Sequence, residues 1–121
     1  MDPAILDPEA FDHLLDITGG ELEFVDELID TYLEDGEAQL DAMRSAAAAG
    51  DIAAIVRPAH SLKSSSANVG AKALETLCRA LEADAGTSAL PDAAGRVAEA
   101  AAAFGLARDA LIAERAARQG A

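Results

Sequence analysis

The chain has 121 residues, 22 acidic against 9 basic side chains and a formal charge of −13, which is one domain's worth of sequence with a strongly acidic surface. Such a surface repels phosphate backbones and anionic headgroups, because binding either requires a basic patch that releases counterions, so nucleic acid and membrane surfaces are excluded as expected partners. A single cysteine, Cys78, no signal peptide and no run near about 18 apolar residues point to a reducing, cytoplasmic compartment.

The 31 alanines, the scarcity of β-branched residues and apolar positions recurring at three- and four-residue spacing predict an all-α chain. Asp7-Pro8 starts a short helix, with Asp7 accepting from a free backbone N–H and Pro8 where its missing N–H costs nothing; it ends near Ile17, before Gly19-Gly20. From Glu21 the stripe Leu22, Val25, Ile29, Tyr32, Leu33, Leu40 and Met43 defines a long amphipathic helix to Gly50, with Glu23, Asp26, Glu27, Asp30 and Glu34 turned largely to water. Gly36 interrupts that helix and allows close approach of a neighbour.

Asp51 is expected to cap the third helix, which runs to Gly70. Pro58 is its awkward residue. It removes a backbone donor at a cost of about 3 kcal/mol if unrelieved, so either a kink or an irregular first turn is expected. A fourth helix spans about Ala71 to Ala85 with Leu74, Leu77, Cys78 and Leu81 inward, and Gly86 to Pro91 form a turn. A fifth, from near Asp92 to about Ala117, buries Val97, Ala101, Phe104 and Leu111. One short helix and four longer ones joined by short loops predict an antiparallel four-helix bundle with an additional N-terminal helix, a single domain over residues 1–121.

The third helix carries the unusual cluster. At about 100° per residue, Ile55, Leu62, Ser66 and Val69 fall on its core side and His60 on the opposite side. Around His60 lie Ala53, Val56, Lys63, Ser64 and Ala67, with Arg57 at the edge. A solvated face in so acidic a domain would carry glutamates and lysines, whereas small and apolar residues around one imidazole have the composition of a docking patch. A neutral imidazole is a good nucleophile near pH 7, Lys63 places a positive charge near it, and Ser64 leaves room for a partner. A lone histidine on a helix surface has no role in most proteins, so these residues by themselves leave both readings open.

Residues 60–71, H-S-L-K-S-S-S-A-N-V-G-A, resemble the signature of histidine phosphotransfer (HPt) domains, roughly H-x-L-K-[GS]-S/A-[SA]-x-x-[LIV]-G-A. Ala59, the Gly50-Asp51 helix start and the Leu81-Glu82 pair fit the same family, and the resemblance covers about residues 5–115. It implies a phosphorelay intermediate. His60 would accept a phosphoryl group on Nε2 from a receiver-domain aspartate and pass it to another response regulator's receiver, with no kinase activity of its own. It also implies Lys63 against the phosphoryl group, Ser64 in the place where the family most often has glycine, and Glu82 bonding Nδ1 from the adjacent helix, although that position also suits an ordinary exposed glutamate. Arg79, one turn before Glu82, would add positive charge, and Gly70 ends the helix.

Other features have plain explanations. His13 has no ligand partner near it in sequence, so no metal site is expected, and no cofactor is implied. Cys78 reads as a small buried hydrophobe. The serine run lacks the context of a nucleophile elbow, and there is no phosphate-binding glycine loop for autonomous use of ATP. The competing function is a helical adaptor that docks receiver or kinase domains through the same patch without being phosphorylated. The expected partners are receiver domains and a hybrid sensor histidine kinase. The expected state is a monomer, because the docking strip cannot also be buried in a dimer, and Met1 with a complete bundle suggests a stand-alone protein.

Overall fold

The computed structural model describes residues 5–87 and 89–119; Met1 and Ser88, the latter inside the predicted turn, lie outside them. Helix α1 is Pro8–Ile17, α2 Leu22–Ala49, α3 Val56–Val69, α4 Lys72–Gly86 and α5 Ala93–Gln119, with a 3₁₀ helix at Ile52–Ile55. No strand occurs among the described residues. Helix α3 packs on α2 and α4, and α5 packs on the other sides of α2 and α4, so the four long helices close a ring. α1 lies across α3 and α2 at one end.

The helix boundaries follow local chemistry. Asp7 Oδ1 accepts from Glu9 N at 3.1 Å, with Pro8 at the first helical position. Gly50 and Gly70 close α2 and α3 with φ of +70° and +82°, left-handed values that only glycine adopts without strain. At Gly70 the space is also full: a Cβ would lie 3.0 Å from the Asp7 carbonyl oxygen. The Asp7 N–H donates to the Gly70 carbonyl at 2.8 Å, which ties the start of α1 to the end of α3.

The start of the third helix differs from expectation. Asp51 makes no side-chain capping bond; its carbonyl instead accepts from the Ala54 N–H at 3.2 Å, and a 3₁₀ turn precedes α3. Pro58 is the reason. With α3 beginning at Val56, Pro58 is its third residue, inside the first turn, where backbone N–H groups have no intrahelical acceptor and a missing donor costs nothing. The irregular turn therefore occurs as the 3₁₀ segment Ile52–Ile55, and the proline sits harmlessly in the first α-helical turn that follows it.

The core is a single cluster running from Leu6, Phe11 and Leu14 through Val25, Ile29, Leu40 and Met43 to Leu62, Leu74, Leu81, Phe104 and Leu111. Leu22 and Leu77 are only half-buried and outside it, and Ala101 packs partly buried against it. Gly36 is the predicted close approach: the Phe104 ring of α5 occupies the space that a Cβ would take. Phe104 in turn stacks, tilted, on Tyr32, with ring centroids 5.8 Å apart. On the outer side, Arg115 of α5 reaches Asp30 of α2 at 2.6 Å.

Ser66 is the only fully buried polar residue among the described residues, and its Oγ is 2.9 Å from the Tyr32 hydroxyl. Burial pushes the Tyr32 phenol up to about 12, so it stays neutral and available as a donor. The bond fixes the rotation of α3 against α2. Ser66→Ala leaves a buried hydroxyl without its partner and is expected to cost about 1–3 kcal/mol, whereas adding Tyr32→Phe recovers much of the loss. Urea unfolding of the two single variants and the double variant checks this, through a coupling energy that would vanish if the bond held nothing.

Candidate functional site

With Leu62 and Val69 of α3 buried and Ser66 bonded to α2, the opposite side of α3 faces outward, and His60 stands on it with its side chain 59% exposed. The residue before it, Ala59, is fully buried, and its small side chain lets the neighbouring helix come close. That helix is α4, on which Leu74, Cys78 and Leu81 are buried. Because Leu81 is locked in the core, Glu82 lands on the flank of α4 that borders α3.

Two bonds then meet on one carboxylate. Glu82 Oε1 is 2.7 Å from His60 Nδ1, and Glu82 Oε2 accepts from Lys63 Nζ at 2.6 Å. An ionised carboxylate only accepts, so the proton of the neutral imidazole resides on Nδ1 and the lone pair on the outward-facing Nε2. The Lys63 ammonium, and after it the bond from His60, hold the Glu82 carboxyl below the ordinary glutamate range, against a partial burial that pushes it up. This keeps the acceptor charged.

The other predicted site residues divide into those near this centre and those engaged elsewhere. Lys63, expected to place a positive charge beside the ring, is half-buried and donates to Glu82. Ser64 is exposed one turn beyond His60. Arg79, expected to add charge at the ring, instead faces Glu75 one turn back on α4, at 3.5 Å. Ala53 and Ala67 are exposed, but Val56 is half-buried and packs against the core, so only part of it reaches the surface. Arg57 is exposed.

Ala67 also borders a feature that the sequence reading did not single out, a groove of about 570 Å³ between α1, α2 and α3. Leu14, Ile17, Leu28, Tyr32 and Val69 give it an apolar lining, with His13 and Asp35 among its polar residues. The available signal was Ile17 and Leu28, large apolar residues at positions left outside the helical stripes; they are 65% and 41% exposed. His13 lines this groove, and no cluster of three or more His, Cys, Asp or Glu that could hold a metal occurs among the described residues. Cys78 is fully buried, and burial pushes its thiol up to about 12, so it is a packing residue and not a nucleophile.

Comparison with known proteins gives the same direction. The Hpt domain model matches residues 27–117. A crystal structure of histidine-containing phosphotransfer protein B (HptB) from Pseudomonas aeruginosa PAO1 aligns with a TM-score of 0.84 and 30% sequence identity, covering 91% of this chain and 93% of that one. Curated proteins gave no match.

The charge state of Glu82 sets the acid limit of this arrangement. A carboxyl held low when folded contributes its stabilisation above the ordinary glutamate value of about 4.3 and loses it as the pH falls through the lower folded value. Carbon-detected NMR titration should place the Glu82 midpoint below that ordinary value, and Lys63→Met should move it upward. The stability deficit of Glu82→Gln at pH 7 should shrink as the pH is lowered through that midpoint; a deficit constant from pH 7 to pH 3 would contradict the assignment.

Proposed function

The chain belongs to the Hpt domain family, whose members are phosphocarriers of two-component phosphorelays, and on that premise we propose that His60 is its phosphoacceptor, taking a phosphoryl group from a receiver aspartate and returning it to the aspartate of another receiver. What carries this reading is the 2.7 Å bond between His60 Nδ1 and Glu82, which leaves Nε2 unprotonated on an exposed ring.

The chemistry balances with no cofactor. The Nε2 lone pair forms the N–P bond as the acyl-phosphate P–O bond breaks, and that bond's electron pair leaves on the receiver's carboxylate. The Nδ1 proton stays where it is. Positive charge that develops on the ring during attack lies against an ionised carboxylate, so the stabilisation is present before the reaction begins. The return step is the reverse. We assign the domain no kinase activity of its own.

The docking face proposed for the receiver is the strip Ala53, Val56, Ala67 around His60, continued by the apolar groove that opens beside Ala67. Small side chains let a partner's loops reach the imidazole, and apolar ones bury area without desolvating charge. Ser64, in place of the family's usual glycine, keeps the approach open and adds a hydroxyl donor for the phosphoryl group. Arg79 would meet the receiver at the rim from its place on α4. We further propose a single-domain monomer working in the cytoplasm between a hybrid sensor kinase and a response regulator. The supports are a core closed by helices of one chain, a lone buried cysteine, and no described helix long and apolar enough to cross a membrane.

His60→Gln should leave the circular dichroism and thermal midpoint of the chain near those of the native protein and abolish acceptance of acid-labile, base-stable phosphate from a phosphorylated receiver. Label retained by that variant would remove His60 from the role, and an adaptor that is never phosphorylated would show no label in the native protein either. Because Val56 is half-buried, the cleaner docking variant is Ala67→Glu, which should weaken receiver binding tenfold or more, about 1.4 kcal/mol, in calorimetric titration without changing helicity.

A further inference from the structure

Arg57 stands apart from the other cations of this protein. Every other lysine and arginine has a nitrogen within 3.5 Å of a carboxylate oxygen. Arg57 is exposed and has no ion pair among the described residues, in a chain whose acidic side chains outnumber its basic ones by 22 to 9. With carboxylates so abundant, an uncommitted guanidinium is the exception, and it lies one turn before His60 on α3.

The two cations nearest His60 on α3 lie on opposite flanks. At about 100° per residue, Lys63 is rotated about 60° to one side of His60 and Arg57 about 60° to the other. The Lys63 flank faces α4, because Lys63 Nζ and His60 Nδ1 both reach Glu82 there. With Nδ1 turned to that flank, Nε2 is directed away from it. Helical side chains lean toward the N-terminus, which inclines the His60 ring toward the turn that contains Arg57, whose own long, exposed side chain can swing back to reach it. The lysine is thus occupied by the carboxylate, and the arginine is on the open side with a planar donor fork suited to phosphoryl oxygens.

On the phosphotransfer reading of His60, we propose that Arg57 is the cation that binds the phosphoryl group once it sits on Nε2, while Lys63 serves as a positioning residue that keeps Glu82 charged. Arg57 then acts on the phosphorylated chain itself, with or without a receiver present.

Phosphoramidate, a small-molecule phosphoryl donor, tests this with no receiver in the tube. On phosphorylation of the native chain, the Arg57 Nε–Hε resonance should shift and exchange more slowly with water, while that of Arg44, held by Asp41 on α2, stays in place. Arg57→Ala should still accept phosphate, but with a displaced phosphohistidine ³¹P signal and, at equilibrium with a phosphorylated receiver, about threefold less phosphate on the chain. Arg57→Lys should keep part of that threefold, since it retains the charge without the fork. An unshifted Arg57 resonance together with an unchanged ³¹P signal in Arg57→Ala overturns the proposal, even if receiver binding falls, because Arg57 would then act on the partner. A native chain that takes no phosphate on His60 would overturn the phosphotransfer reading and this proposal together, whereas failure of the Arg57 signals alone leaves that reading standing.

Discussion

One carboxylate with two donors organises the surface of this protein. Glu82 is shared between the His60 ring and the Lys63 ammonium, at 2.7 and 2.6 Å. Remove the carboxylate and the imidazole has no fixed tautomer, because among the described residues no other bond to the ring selects which nitrogen carries the proton. Remove the lysine and the carboxylate loses the cation that does most to keep it ionised. The three side chains form a chain of dependence in which charge on one end sets proton position at the other.

That arrangement requires two helices to hold a fixed spacing and rotation, which is the work of the bundle. Helices α3 and α4 pack against each other, with Leu62 of α3 and Leu74 and Leu81 of α4 almost fully excluded from solvent. The Tyr32–Ser66 bond adds direction to this packing, since apolar contacts alone leave a helix some freedom to roll, whereas a single buried hydroxyl pair is satisfied in only one rotation. The site thus rests on rigid helices and not on a loop, which suits chemistry in which a ring nitrogen must be met by an incoming phosphorus at bonding distance.

The same logic accounts for the distribution of charge. Across the chain acidic side chains dominate, 22 against 9 basic ones, a balance that disfavours polyanions. On the outer face of α3 they give way to Ala67 and Ser64, and in the 3₁₀ turn before it to Ala53, all exposed. A partner can approach there without stripping water from carboxylates, whose desolvation would oppose binding. Lys63 and Glu82 neutralise each other beside the ring, so the imidazole does not sit beside a net negative charge.

The sequence by itself determined the helices and their inner faces, because helical periodicity, glycine stops and the Asp7-Pro8 start are local properties that do not depend on what packs nearby. The outward placement of His60 came from the same counting, and the HPt resemblance implied a bond from Glu82 while leaving open an ordinary exposed glutamate; the folded chain places Glu82 Oε1 2.7 Å from the ring. What the sequence could not decide were matters of distance between segments far apart in the chain. The bond from Lys63 to Glu82 becomes visible only when α3 and α4 are side by side. Arg79 was expected close enough to add positive charge and faces Glu75, one turn back on α4. The Tyr32–Ser66 pair spans 34 positions, and the groove beside Ala67 needs α1, α2 and α3 together. Asp51 and Pro58 were a local problem with two local solutions, and the fold chose the 3₁₀ turn that lets α3 begin late enough for the proline to lose no bond. An ion pair, a buried hydroxyl bond and a cavity depend on which residues the folded backbone brings within a few ångströms, and composition and spacing carry that information only where the partners lie within a turn or two of each other.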